Sequence, residues 1–359
     1  MNSIKQKDSK LRLFTQSKMF SLLLLLVLEV VVFTVWAWIK QGGNSFLTFK
    51  SLTTIINTMT VPGFLALGAA FLMISGNIDL SSASIGAFGA MFIAASIQYF
   101  HFTWWLAIAC ALVIAIAFGV LNAVLVNEFR FQPFIATMAM SSVIKGLLAF
   151  ISMDPKAAAP VATTITLSPQ VVDFLGGSPV KILEFIGKKK FFAGSAIEIP
   201  FNIILLIAAF IIYGVILRQT KFGMKVYLVG GNPMAARLVG VNPKKVSYIL
   251  FANSAFAAGI AGVITHSKTL QGSSIALQAD TFTGLTAAML GGISFGGGSG
   301  GMGGAFIGLL ITRAFAQGML AINASSYITT AFSGVLLIIA LSIDFASQRR
   351  ATARAIKGV

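Results

Sequence analysis

The stretch LGGISFGGGSGGMGG, residues 290–304, decides how this chain is read. From Gly291 to Gly304 it holds nine glycines in fourteen residues, between apolar runs at 281–295 and 304–322. A phosphate-binding loop is excluded, because no Gly-Lys-Ser/Thr follows to meet the phosphates and Mg²⁺. Backbone this irregular at membrane depth must be buried in protein or line a water-filled cavity. Broken helices of this type mark transport pathways.

Composition supports a membrane setting. The 359 residues are 57% hydrophobic and only 10% charged. A soluble domain carries roughly 25% charged residues. The formal net charge of +16 would suggest nucleic acid if it sat on a water-exposed fold; here a nucleic-acid partner is not expected. One cysteine, Cys110, excludes an intramolecular disulfide, and two histidines leave little for metal chemistry. No catalytic residues, metal or cofactor are expected.

A spanning helix needs about 20 mostly apolar residues. Ten candidates follow: 20–39, 58–75, 83–100, 104–126, 134–152, 201–217, 248–266, 281–295, 304–322 and 327–343. The first follows a basic stretch, but Trp36 and Trp38 stand where a cleavage site would be, so it reads as an uncleaved anchor. The expected fold is therefore all-α and integral to the membrane. A basic tail covers 1–19, the permeation domain 20–343 and a second basic tail 344–359. With both termini cytoplasmic, sixteen of the 26 Lys and Arg residues fall on that face, as the positive-inside rule requires.

Small residues recur every four positions, at Ser254, Ala258 and Gly262 and again at Gly304 and Gly308. In lipid this spacing lets helices approach closely, so a compact bundle is expected. A second break falls at 75–82, where Asp79 and Ser82 have the spacing of a helix cap. The break residues singled out are Gly76, Asp79, Ser81, Gly291, Gly292 and Ser294. Three charges fall within spans: Glu29, Lys145 and Arg313. Glu29 alone could serve a proton relay, and its peripheral position argues against proton coupling.

The loop 218–247 is the most informative. Asn232 reads as an N-cap and Pro233 as the first residue of a short helix. Met234, Ala235, Ala236, Arg237 and Leu238 continue it, and Gly240 ends it. Such a helix is not needed to join two spans. It is either a surface helix on the lipid or a docking element for a cytoplasmic partner. The outside loop 153–200, with five prolines, reads as a small external cap. Polar positions proposed for the translocation path are Asn57, Asn253, Thr283, Thr286 and Gln317; interhelical hydrogen bonding is the competing reading for each.

These segments together resemble the ribose-type (monosaccharide) ABC importer permeases. Gly76-Asn77-Ile78-Asp79-Leu80-Ser81 is similar to that family's Gly-x-Ile-Asp-Leu-Ser signature. Gln132-Pro133-Phe134-Ile135-Ala136-Thr137, the Thr220–Gly223 and Gly230–Pro233 segments with Ala235-Ala236, and Leu290-Gly291-Gly292-Ile293-Ser294 resemble further motifs in family order. Asn77, Ser82-Ala83 and Lys145 depart from the pattern and leave the solute open among pentoses, hexoses, nucleosides and other small solutes. The resemblance implies a multi-pass protein of the prokaryotic inner membrane with two inverted-repeat halves. It also implies a second permease chain, cytoplasmic ABC ATPase subunits docked on the 232–240 helix, and an extracytoplasmic sugar-binding protein. A self-contained ion-coupled carrier shares the broken helices but would not need the docking helix. A polytopic membrane enzyme would need a cluster of acids or histidines that the sequence lacks.

Overall fold

The computed structural model describes residues 18–42, 46–152, 164–168, 171, 178–191 and 199–357. The chain is all-α and integral to the membrane. Among the described residues, eight helices are long and apolar enough to cross a bilayer: α1 (Lys18–Gln41), α2 (Phe49–Ile74), α3 (Ser82–Phe100), α4 (Trp104–Asn127), α5 (Pro133–Ile151), α7 (Phe201–Gln219), α10 (Pro243–Thr269) and α12 (Met302–Ala321). Between them lie α6 (Ser178–Lys188), α8 (Lys221–Gly231), α9 (Pro233–Leu238) and α11 (Asp280–Leu290), and α13 (Ser326–Lys357) follows. The N-terminal tail to residue 17, and most of the loop 153–200, lie outside the described residues.

Every expected span holds a helix, but several differ in extent. Helix α2 starts at Phe49 rather than 58, because Thr48 caps it by accepting from the Ser51 amide at 3.1 Å. The expected span 281–295 is corrected to eleven residues, Asp280–Leu290. At 1.5 Å per residue that is roughly 16 Å, about half the hydrocarbon thickness. Gly291 and Gly292 (φ +85°) end it. Helix α13 runs on to Lys357, through the segment expected as a tail.

Helices α2, α3 and α10 form the buried centre, with α4, α5 and α7 around them and α1 at the rim. Small residues make the centre possible. A Cβ on Gly68 of α2 would lie 2.9 Å from Ser254 Cα, and one on Gly86 of α3 would lie 2.8 Å from the Ala258 carbonyl. Gly262 abuts the Gly86 carbonyl, Gly308 that of Ala287, and Gly304 that of Gly291. Both small-residue stripes thus pack backbone on backbone, where dispersion rather than hydrophobicity drives association.

Two short antiparallel pairs close the opposite end: Thr164–Thr166 with Gln271–Ser273, and Lys190–Phe191 with Ile199–Pro200. Helix α6 lies against α10, with Gly187 on the Ser267 carbonyl, and Asn202 Nδ2 donates to the Gly187 carbonyl at 3.3 Å. The described part of the 153–200 loop therefore packs onto the bundle.

Candidate functional site

Three chain reversals meet at one junction. They are the end of α2 at Ile74–Gly76, the end of α8 at Gly230–Gly231, and the loop at Gly297–Gly298. The Gly298 amide donates to the Ile74 carbonyl at 2.8 Å. Gly76, Gly297 and Gly298 have φ of +83°, +82° and +73°, a region that L side chains rarely enter. A Cβ on Gly297 would stand 2.8 Å from the Gly76 nitrogen and 2.9 Å from the Gly230 carbonyl. A Cβ on Gly230 would collide with the Ile74 carbonyl. The Tyr227 hydroxyl of α8 donates to the Gly300 carbonyl at 2.7 Å. Partial burial pushes the Tyr227 phenol up, so it keeps its proton and stays a donor. Ser294 closes the glycine loop on itself by donating its amide to the Ser299 carbonyl at 3.3 Å.

Asp79 accepts a backbone N–H at the start of the next helix, as expected, but from outside the N-cap position. Helix α3 begins at Ser82, so Ser81 takes the cap position and Asp79 lies two residues before it. Asp79 is 1% exposed. It accepts the Ser81 amide at 2.8 Å, the Ser81 hydroxyl at 2.6 Å and the Ser254 hydroxyl of α10 at 2.9 Å. Asn122 of α4 donates to Ser81 Oγ at 2.8 Å, and the Leu80 amide donates to Thr137 Oγ1 of α5 at 3.1 Å. The 75–81 break is thereby tied to three surrounding helices. The donors around Asp79 meet the requirement that a buried intramembrane polar group be partnered.

The segment after α8 follows the sequence reading closely. Asn232 accepts the Met234 and Ala235 amides at 2.9 and 3.0 Å. Gly240 (φ +77°) turns the chain, and the Val241 amide donates to the Ala236 carbonyl at 2.9 Å. Asn242 repeats the cap for α10, accepting the Lys245 amide at 3.3 Å. Of α9 only Ala236 is buried. Met234, Leu238 and Val239 are 66%, 86% and 68% exposed and form an apolar outer face beside exposed Arg237. Sequence reasoning missed α8. Its signal is Thr220, which accepts the Gly223 amide at 3.2 Å, followed by buried Val226 and Val229.

The five polar path candidates do not converge. Thr283 and Thr286 line one cavity of about 740 Å³ between α11, α12 and α13. Gln317 donates to Ser51 Oγ at 3.3 Å. The backbone carbonyl of Asn57 accepts from Lys268 Nζ at 2.7 Å. Asn253 accepts the Tyr213 hydroxyl at 2.6 Å, on the α7 side of α10. Asp280, which lies one residue before the expected span, was not among the intramembrane charges. It pairs with Arg313 at 2.7 Å and lines the same cavity as Thr283. Lys145 is exposed on the outer surface of α5.

Residues 51–341 match the profile of a family described as "Branched-chain amino acid transport system / permease component". The ribose import permease protein RbsC of Escherichia coli (strain K12) is 28% identical over 96% of this chain and 99% of its own length. The L-arabinose ABC transporter permease protein AraH of Azospirillum brasilense is 30% identical over 91% of this chain and 89% of its own. The xylose transport system permease protein XylH of Haemophilus influenzae is 26% identical over 91% of this chain. With its breaks, its glycine junction and its exposed short helix in place, the chain belongs to this family of transport-system permease components, and several of its relatives there are sugar-import permeases.

Proposed function

We propose that this chain is the membrane-spanning permease subunit of an ATP-driven importer that carries a monosaccharide across the prokaryotic plasma membrane. The sugar class follows the names of its relatives, which move ribose, L-arabinose and xylose. The observation that carries the coupling role is α9. Met234 and Leu238 of this helix and Val239 just after it are largely exposed, and it is joined through Gly230–Gly231 to both helix breaks. An ATP-hydrolysing partner that grips this face would move α8. The Gly298–Ile74 hydrogen bond and the Tyr227–Gly300 hydrogen bond would pass that motion to the two breaks.

On this reading Asn232, Pro233, Met234, Ala235, Ala236, Arg237, Leu238 and Gly240 form the coupling element. The face that carries them is cytoplasmic, as the excess of Lys and Arg there favours. A second permease chain completes the path, and a binding protein delivers sugar to the opposite face. The permease needs no catalytic residues of its own, since hydrolysis belongs to the partner. The test is reconstitution in liposomes with and without the ATPase subunits and the binding protein. Sugar accumulation should require both partners and ATP. Accumulation by the chain alone on an ion gradient would overturn the proposal.

A further inference from the structure

An ion pair sits at the wall of the half-open cavity between α11, α12 and α13. Asp280 and Arg313 meet through Oδ1 and Nη2 at 2.7 Å, with their side chains only 24% and 15% exposed. The pair leaves Asp280 Oδ2 outside it. Arg313 Nε is buried and meets no acceptor among the described residues. A pair kept only to join α11 to α12 would be expected to satisfy its buried donor, because an unmet charged donor is costly. Thr286, 3% exposed, lies on the same wall. The Thr283 and Thr312 hydroxyls donate to their own helix carbonyls, Ala279 at 3.2 Å and Leu309 at 2.9 Å. Their oxygens therefore remain as acceptors, and Gln278 adds an amide. The volume of about 740 Å³ falls within the ~300–1,000 Å³ range of small-molecule sites.

Building on the importer reading, we propose that the Asp280–Arg313 pair is a binding station for the solute inside the permease, and that it takes a neutral polyhydroxylated molecule. Adjacent hydroxyl groups suit the pair because each can donate to the carboxylate and accept from the guanidinium. Within the pair the two charges cancel, while Lys268, which interacts with both and donates to the Asn57 carbonyl at 2.7 Å, adds one positive charge beside it, so the match of hydroxyls to the pair rather than overall charge balance favours a neutral polyol. Thr286 and Thr283 supply further hydroxyls at the wall. The cavity exceeds one monosaccharide, so the contact is loose, as a path requires: a solute held tightly would not leave.

The test uses the assembled importer in liposomes with ribose, L-arabinose and xylose as probes. The measured quantity is sugar moved per ATP hydrolysed. Asp280→Asn and Thr286→Val should each lower that ratio at least fivefold. Arg313→Lys, which keeps the charge and loses the planar fork, should lower it less than Asp280→Asn. Thr286→Val changes no charge and carries the test if the ion-pair variants fail to assemble. An unchanged ratio, or uptake and hydrolysis falling in parallel, would overturn the proposal and make the pair a structural tie. Faster wild-type uptake of a sugar acid such as gluconate than of the neutral sugars would overturn the neutral class. Accumulation of a probe by the chain alone on an ion gradient, without ATP or the partners, would defeat the importer reading itself.

Discussion

The amide of Gly298 donates to the carbonyl of Ile74 across 2.8 Å, joining two helix breaks that lie more than two hundred residues apart in the chain. Gly230 fills the remaining space between them, with its Cα close enough that any Cβ would strike the Ile74 carbonyl. The close approach therefore depends on the absence of a side chain rather than on a favourable φ at Gly230.

Gly230→Ala should disrupt the junction, while Gly231→Ala should be tolerated, because a Cβ there meets nothing within 4 Å. Overpacking against backbone costs typically ~1–3 kcal/mol. ATP-driven uptake should fall at least tenfold in the first variant and less than twofold in the second. Equal behaviour of the two would contradict the packing argument.

The coupling element should fail when its helix or its charge is altered. Ala236→Pro places a ring at the one buried position of α9, and Arg237→Glu reverses the charge on its exposed face. Both should abolish stimulation of the ATPase by the loaded binding protein while leaving the chain in the membrane at normal levels. Asn232→Ala should give a milder defect, since losing an N-cap costs about 0.5–2 kcal/mol. Stimulation at the wild-type level in Ala236→Pro would remove α9 from the coupling path.

Asp79→Ala should destabilise the bundle. It strips the acceptor from the Ser81 amide, the Ser81 hydroxyl and the Ser254 hydroxyl, all within a buried site. Each buried group left unsatisfied costs roughly 1–3 kcal/mol. Asp79→Asn keeps one carbonyl acceptor and should fall between wild type and Ala. Melting of the detergent-solubilised protein, followed by tryptophan fluorescence, would rank the three; a wild-type melting temperature for the alanine variant would refute the role.

Glu128, one residue beyond α4, gives the clearest pH dependence outside the spans. Lys244 Nζ lies 2.7 Å from Glu128 Oε2, and the Tyr248 hydroxyl donates to Oε1 at 3.3 Å. The hydrogen bond from Lys244 holds the Glu128 carboxyl below the usual carboxylate range. A carboxylate with a depressed folded-state pKa stabilises above its unfolded value and loses that contribution as pH falls through the folded value. Any melting difference between wild type and Glu128→Gln should therefore be present at pH 7 and shrink below about pH 4. Both side chains are about half exposed, 49% each, so the difference should be small and should diminish with salt. A difference that grows on acidification would contradict the sign.

Much of the fold was legible because its causes are local. Apolar runs of about 20 residues mark the spans, and Asn232, Pro233, Asn242 and Gly240 mark the short helix with the bonds that the structure contains. The reading was poorest where local and long-range causes compete. Asp79 has the sequence spacing of a cap, yet its carboxylate bonds Ser254, 175 residues away. The 281–295 run is apolar enough for a span, yet it stops after eleven helical residues. Of the five path candidates, Thr283 and Thr286 line one cavity while Asn57, Asn253 and Gln317 bond to other neighbours, because facing the bundle interior does not say which neighbour a polar group will find.

By itself the sequence determined that this is an all-α membrane protein with two interrupted regions, small-residue helix contacts and a capped helix in its most basic loop. Span length, capping and glycine density are free energies set within a few residues, so they can be read along the chain. Only the tertiary structure decided that the two interruptions touch, that α8 ends against both, and that Asp280 meets Arg313 at a cavity wall. These are contacts between segments whose approach is set by how small residues pack in three dimensions, and no local preference encodes which glycine will lie against which carbonyl.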